Sequence, residues 1–134
     1  MLHSVLTWRT TWLGLISWLV PFAASFVFFD PSGAVAIPQP LFKSIMVVVF
    51  GALGAFLLVL AFDRVPPSTN MGLALGAYWL ALNVALDLVV LVPLARMSIV
   101  DYAHDIGLRY LLIPIMASAM GAVAVRAISS SQRS

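Results

Sequence analysis

No cysteine occurs in the chain, which excludes disulfides, thiolate metal sites, thiol catalysis and c-type haem attachment. Glutamate is missing as well, so every acid is an aspartate, at positions 30, 63, 87, 101 and 105. Charged residues make up only 9% of the chain, and the seven basic ones are scattered with no run among them. A nucleic-acid surface needs clustered basic residues, so no nucleic-acid partner is expected. The sequence also lacks a nucleophile elbow, a phosphate-cradling glycine loop, a zinc-protease helix and a dinucleotide fingerprint. Isolated hydroxyls such as Ser17, Ser25, Ser44 and Ser118 more often bond their own helix backbone than attack a substrate. An enzyme is therefore unsupported, no residue is assigned a catalytic role, and nothing in the residues names a cofactor.

What the chain does contain is apolar. Of its 134 residues, 63% are hydrophobic, more than a soluble domain of this size can hide. At about 20 residues per spanning helix, four spans leave only short connections. The expected fold is an all-α integral membrane protein, four transmembrane helices in a small antiparallel bundle. One domain covers residues 1–134, with spans at about 12–29, 41–62, 71–94 and 99–128. Arg9 followed by an apolar run could suggest a secretory signal, but the run over 10–29 is too long and too aromatic for one. It reads as the first span.

Size and four-span layout resemble those of the small multidrug-resistance transporters, which work as dimers around a glutamate in the first helix. The first span here contains no acid, so the resemblance covers architecture and carries over no residue.

The third span holds the residues hardest to reconcile with a bilayer. At 100° per residue, Gly72, Gly76, Trp79, Asn83 and Asp87 fall within about a quarter of the helix circumference. A charge at the centre of a spanning helix costs roughly 2.5–3.5 kcal/mol on insertion scales, so Asp87 should face protein or water and find a partner. Small residues on the other spans mark candidate helix contacts: Gly14, Ser17, Pro21 and Ala24 on the first, and Ser44, Gly51 and Ala55 on the second. On the first, Trp18, Phe22, Phe26 and Phe29 lie opposite, and Pro21 should bend the helix. Residues 34–40, with two prolines, should be extended and act as a connector.

Ser98-Ile-Val-Asp101 looks like a capped helix start, from which the fourth helix runs to about residue 128. Asp101, Asp105 and Arg109 follow one another along one side of it, so an Asp105–Arg109 pair is geometrically available. Gly107, Tyr110, Pro114, Ala117, Ser118 and Gly121 occupy the opposite side. Arg109 enters the membrane from the side at which the third helix leaves it. Asp87 lies roughly 10 Å in from that end at 1.5 Å per residue, which makes Arg109 its expected partner, with Asn83 nearby. Asp101, His104 and Asp105 could in principle serve a metal. A solvated first turn with acids near the positive helix end explains them as well, and no metal site is assigned.

Two function classes remain. In the preferred one the protein is a structural or accessory subunit of a homo- or hetero-oligomeric membrane assembly, with Asp87, Asn83 and Arg109 fixing helix packing. In the alternative it is a small oligomeric ion- or proton-coupled transporter or channel using Asp87. The expected partners are the lipid bilayer and further copies or subunits. Arg9, Arg64, Arg126 and Arg133 on one side outnumber Lys43, Arg96 and Arg109 on the other. That favours cytoplasmic termini in a bacterial-type inner or plasma membrane.

Overall fold

In a computed structural model, which describes residues 2–134, the chain is all-helical, and four of its helices are long and apolar enough to cross a membrane. A short α1 (Leu2–Val5) leads to α2 (Trp8–Ser25), which ends in a 3-10 turn at Phe26–Phe28. Then come α3 (Gln39–Phe62) and α4 (Thr69–Leu86). A π-helical turn (Asp87–Leu91) joins α4 to α5 (Val92–Ala95), so that 69–95 form one continuous rod. The separate short α6 (Ile99–Asp105), a 3-10 segment (Gly107–Leu111) and α7 (Leu112–Ser131) complete the chain.

Local chemistry accounts for most of the boundaries. Thr7 caps α2 reciprocally with Thr10, whereas Ser68 and Ser98 cap α4 and α6 by accepting from the N–H of Met71 and Asp101. Each cap satisfies a backbone donor that the first helical turn leaves open. Pro40 lies inside α3 rather than before it, because the first turn of a helix makes no use of a proline's missing N–H. The expected extended run over 34–40 is correspondingly shorter. Ahead of it, Asp30 accepts from the N–H groups of Ser32 and Ala34, Gly33 adopts φ 85°, and Phe29 pairs with Val35 in a miniature hairpin. The Ser32 hydroxyl, which also donates to Asp30, and then these N–H groups hold the Asp30 carboxyl below the usual carboxylate range.

The fourth apolar helix departs from expectation. Instead of running unbroken from Ser98, the chain kinks at Ile106 (φ −128°, ψ −50°) and re-forms as a 3-10 turn at Gly107. Glycine, a poor helix former, supplies the weak point. The apolar span is Gly107–Ser131, and α6 stands apart from it.

Packing is tightest between α4 and α7. A Cβ placed on Gly72 would overlap the backbone of Ala117, one on Gly76 that of Pro114, and one on Gly121 that of Ser68. Positions rise on one helix as they fall on the other, so the two run antiparallel with their backbones in direct contact. Around this seam lie the fully buried Leu58, Leu75, Trp79 and Ile113. The expected stripe on the third span is buried throughout: Gly72, Gly76, Trp79, Asn83 and Asp87. So are Gly14, Ser17 and Pro21 of the first span. Outward faces are apolar instead, with Val48, Phe56, Val89, Ile115 and Val123 all exposed. Gly51 of α3 has nothing within 4 Å of where its Cβ would be, so the small stripe on the second span is open.

Candidate functional site

Asp87 is buried, with 1% of its surface exposed, and its carboxyl group is the meeting point of three segments. The indole Nε1–H of Trp18 on α2 donates to Oδ1 at 2.7 Å. Tyr102 on α6 and Tyr110 in the 107–111 turn both donate their hydroxyls to Oδ2, at 2.9 and 2.6 Å. With three donors and no cation, the carboxyl group is held by neutral hydrogen-bond dipoles. Burial, and then the adjacent carboxylate, raise the Tyr102 phenol well above its ordinary range.

The break at Ile106 is what makes this geometry possible. On one straight α-helix Tyr102 and Tyr110 would sit about 12 Å apart along the axis. The kink and 3-10 turn fold the second tyrosine back so that both hydroxyls reach a single oxygen atom. On the Asp87 side, the π turn begins at the aspartate itself. Pro93 lacks the N–H that would have met the carbonyl of Val89, and a wide turn before it accommodates the proline ring.

Asn83 lies one turn deeper along the stripe. Its Nδ2 donates to Ser17 Oγ at 3.1 Å and to the Trp79 carbonyl at 2.8 Å, while Oδ1 is buried without a partner. Trp79 adds a parallel link, donating Nε1–H to the Thr10 carbonyl at 2.9 Å. The amide, the indole and the carboxylate thus tie α4 to α2 at three successive levels. Tyr78, on another side of α4, meets Thr11 at 2.6 Å.

Arg109 is not the partner of Asp87. Among the described residues no Lys, Arg or His nitrogen lies within 4 Å of Asp87; the ion pairs are Lys43–Asp105 at 3.2 Å and Arg9–Asp63 at 3.8 Å. In the 3-10 turn it is Tyr110 that points inward to the carboxylate, and Arg109 is displaced onto the wall of a cavity. Nor does Arg109 pair with Asp105, which Lys43 engages instead. Asp101 and His104 are exposed in α6. Among the described residues no three His, Cys, Asp or Glu side chains are grouped so as to hold a metal.

The cavity, about 340 Å³, lies between α2, α3, the π turn and the 107–111 turn. Aromatic side chains line part of it: Trp18, Phe22, Phe29, Phe42, Phe50 and Tyr110. Polar groups reach it at two levels, Asp87 and Ser17 on one side and Lys43, Asp105 and Arg109 on the other. The hairpin after α2 contributes Phe29 and Val35, so the first loop closes part of the cavity as well as connecting two helices.

Compared with known proteins, the chain matches no family model, and no curated sequence or solved structure matches it significantly. A functional reading therefore rests on the chain's own residues. Of those singled out in the sequence, Asp87 and Asn83 sit on one buried stripe, Arg109 and Asp105 line the same cavity as Asp87, and Asp101 stands outside it. Trp18, Tyr102 and Tyr110 were missed as partners of Asp87. Only an acid inside an otherwise apolar helix signalled that donors had to exist somewhere.

Proposed function

We propose that the chain is an integral four-span membrane protein serving as a structural or accessory subunit of a larger membrane assembly, with Asp87 and Asn83 as determinants of helix packing. The observation that carries this reading is the threefold hydrogen bonding of the Asp87 carboxylate by α2, α6 and the 107–111 turn. A carboxyl group engaged by three segments at once fixes how those segments pack. Support for an assembly comes from the outer surface. Exposed Val48 lies beside an unfilled Gly51 on α3, a face suited to lipid or to another helix. The four arginines at the Arg9–Asp63 end of the bundle favour that end, with both termini, on the cytoplasmic side of a bacterial-type inner or plasma membrane.

One observation favours the second reading, a small transporter or channel: Asp87 lines the aromatic cavity. Replacing Asp87 with asparagine separates the two. The packing role predicts a lower midpoint of thermal unfolding in bilayer discs, together with altered assembly mass. An Asp87→Asn protein with unchanged stability and mass would sink that role and leave the transport reading standing.

A further inference from the structure

We propose that the aromatic cavity is a binding site for a single-chain amphiphile with an oxyanion head, a carboxylate or phosphate, and that Arg109 receives that head. The inference does not depend on the accessory-subunit reading; it concerns a cavity which that reading leaves unused.

Hydrogen-bonding capacity decides the sign of the ligand. Asp87, although it borders the cavity, already accepts three hydrogen bonds, two of them on Oδ2, and keeps about one acceptor site, on Oδ1. Arg109 is the opposite case. It is half-buried on the cavity wall, and among the described residues its side chain makes no hydrogen bond and no ion pair within 4 Å. A guanidinium carries five N–H donors in a planar fork, and those of Arg109 have no partner among the described residues and stay open to an incoming acceptor. A carboxylate or phosphate satisfies two of those donors at once, which a neutral acceptor does not. Neighbouring charges agree with this choice. On the Arg109 side, Lys43 and Arg109 face the one acid Asp105, which Lys43 already engages, while the second acid on the wall, Asp87, is held by its own three donors.

Walls and size define the rest of the molecule. Phe22, Phe29, Phe42 and Phe50 give an apolar lining for a hydrocarbon or aromatic tail. At about 340 Å³ the space is at the lower end of small-molecule sites, roughly 300–1,000 Å³, which favours one chain over a two-chain lipid. Placement fits as well. Lys43 is in the first turns of α3, and Arg109 is in the first turn of its span, so both lie where a headgroup meets the bilayer.

The test uses the full chain in phosphatidylcholine discs, with Trp8 and Trp12 replaced by phenylalanine so that Trp18 on the cavity wall dominates accessible fluorescence. Terminally brominated dodecanoate should quench it saturably, and brominated dodecylamine should not. Loss of a bidentate charge-assisted contact in Arg109→Gln should weaken the dodecanoate about tenfold or more. Lys43→Gln should weaken it less, because Lys43 already pairs with Asp105. Since Arg109 holds no partner, Arg109→Gln should keep the parent's thermal midpoint, and this checks that the variant is folded. Lysophosphatidic acid should displace the probe. Two-chain phosphatidic acid should not, and displacement by it would overturn the single-chain assignment by making a bilayer lipid the occupant. Equal quenching by the amine, or an unchanged dodecanoate Kd in Arg109→Gln, would overturn the oxyanion site itself.

Discussion

The two sides of α4 are built on opposite principles. Toward α7 it presents glycines, and the backbones touch at Gly72, Gly76 and, from the other helix, Gly121. Toward α2 it presents Trp79, Asn83 and Asp87, which reach across by hydrogen bonds and leave a cavity beyond. In the proposed membrane setting no hydrophobic force drives one apolar helix against another, so cohesion there comes from close van der Waals contact or from polar bonds. The α4–α7 side uses the first and the α4–α2 side the second. Close backbone contact is rigid and intolerant of added volume. A polar junction tolerates volume and is sensitive to the loss of a single donor.

The largest effect should come from filling the seam. Gly76→Leu places a side chain where Pro114 already stands, with backbone rather than a movable side chain in the way. The cost should exceed ~3 kcal/mol, beyond the usual range for overpacking. The measurement is the folded fraction in mild detergent against a denaturant series. A folded Gly76→Leu with parent-like stability would mean that the two helices are not in backbone contact.

Next comes the polar junction. Asp87→Asn keeps the volume but removes the charge and one acceptor from two buried donors and one half-buried one, and should cost about 1–3 kcal/mol. Tyr110→Phe removes one bond to the carboxylate and should cost about 1–2 kcal/mol, with Tyr102→Phe similar or smaller since its contact is longer. Adding Tyr110→Phe to Asp87→Asn should then cost less than the sum of the two, because both act on the same bond. Strict additivity of the two would show that Tyr110 stabilises the fold by some other route.

Tyr102 also gives the junction a pH dependence. Its folded-state pKa is raised, first by burial and then by Asp87, above the ordinary value near 10. Stability from keeping this phenol protonated is fully present below that ordinary value. It is lost as pH climbs above it, because the unfolded chain then releases a proton that the folded chain retains. The thermal midpoint should therefore decline between about pH 10 and 12, and Tyr102→Phe should flatten the decline. An equal slope in both proteins would exclude Tyr102 as its source.

How these two sides differ in legibility follows from what helical periodicity can report. The buried stripe from Gly72 to Asp87 repeats every three or four residues, and such spacing on one helix is visible without any structure. Gly107 to Gly121 on the facing helix is visible for the same reason. The partners of Asp87 were not, because they depend on relations between distant elements. Trp18 lies 69 residues away and looked like an outward aromatic among others. Tyr102 and Tyr110 converge only through a break at Ile106 that one glycine does not announce. Charge pointed to Arg109, since opposite charge is the most conspicuous pairing signal in a sequence. Phenol and indole donors carry no charge and leave no such signal, although in an apolar site they hydrogen-bond a carboxyl group without the desolvation cost of a second ion.

The smallest effect should come from Gly51, and its direction is informative. It is a helical glycine like Gly72 and Gly76, yet no atom lies within 4 Å of the position its Cβ would take. Where Ala at position 76 would collide with Pro114, Ala at 51 meets open space, so only intrinsic helix propensity remains to act. That favours alanine by roughly 0.8–1.0 kcal/mol in a helix interior. In the isolated chain, Gly51→Ala should therefore raise stability slightly, by up to about 1 kcal/mol. If α3 instead packs its open stripe against a second helix in the assembly, the same methyl group would hold the two apart. The decisive comparison is one variant measured in two states, dilute discs holding a single copy and the native membrane at high density. A gain in both means that Gly51 faces lipid. A gain in the first and a loss in the second means that α3 carries the contact between subunits, because an added methyl can be favourable to a helix and unfavourable to its neighbour only where a neighbour is present.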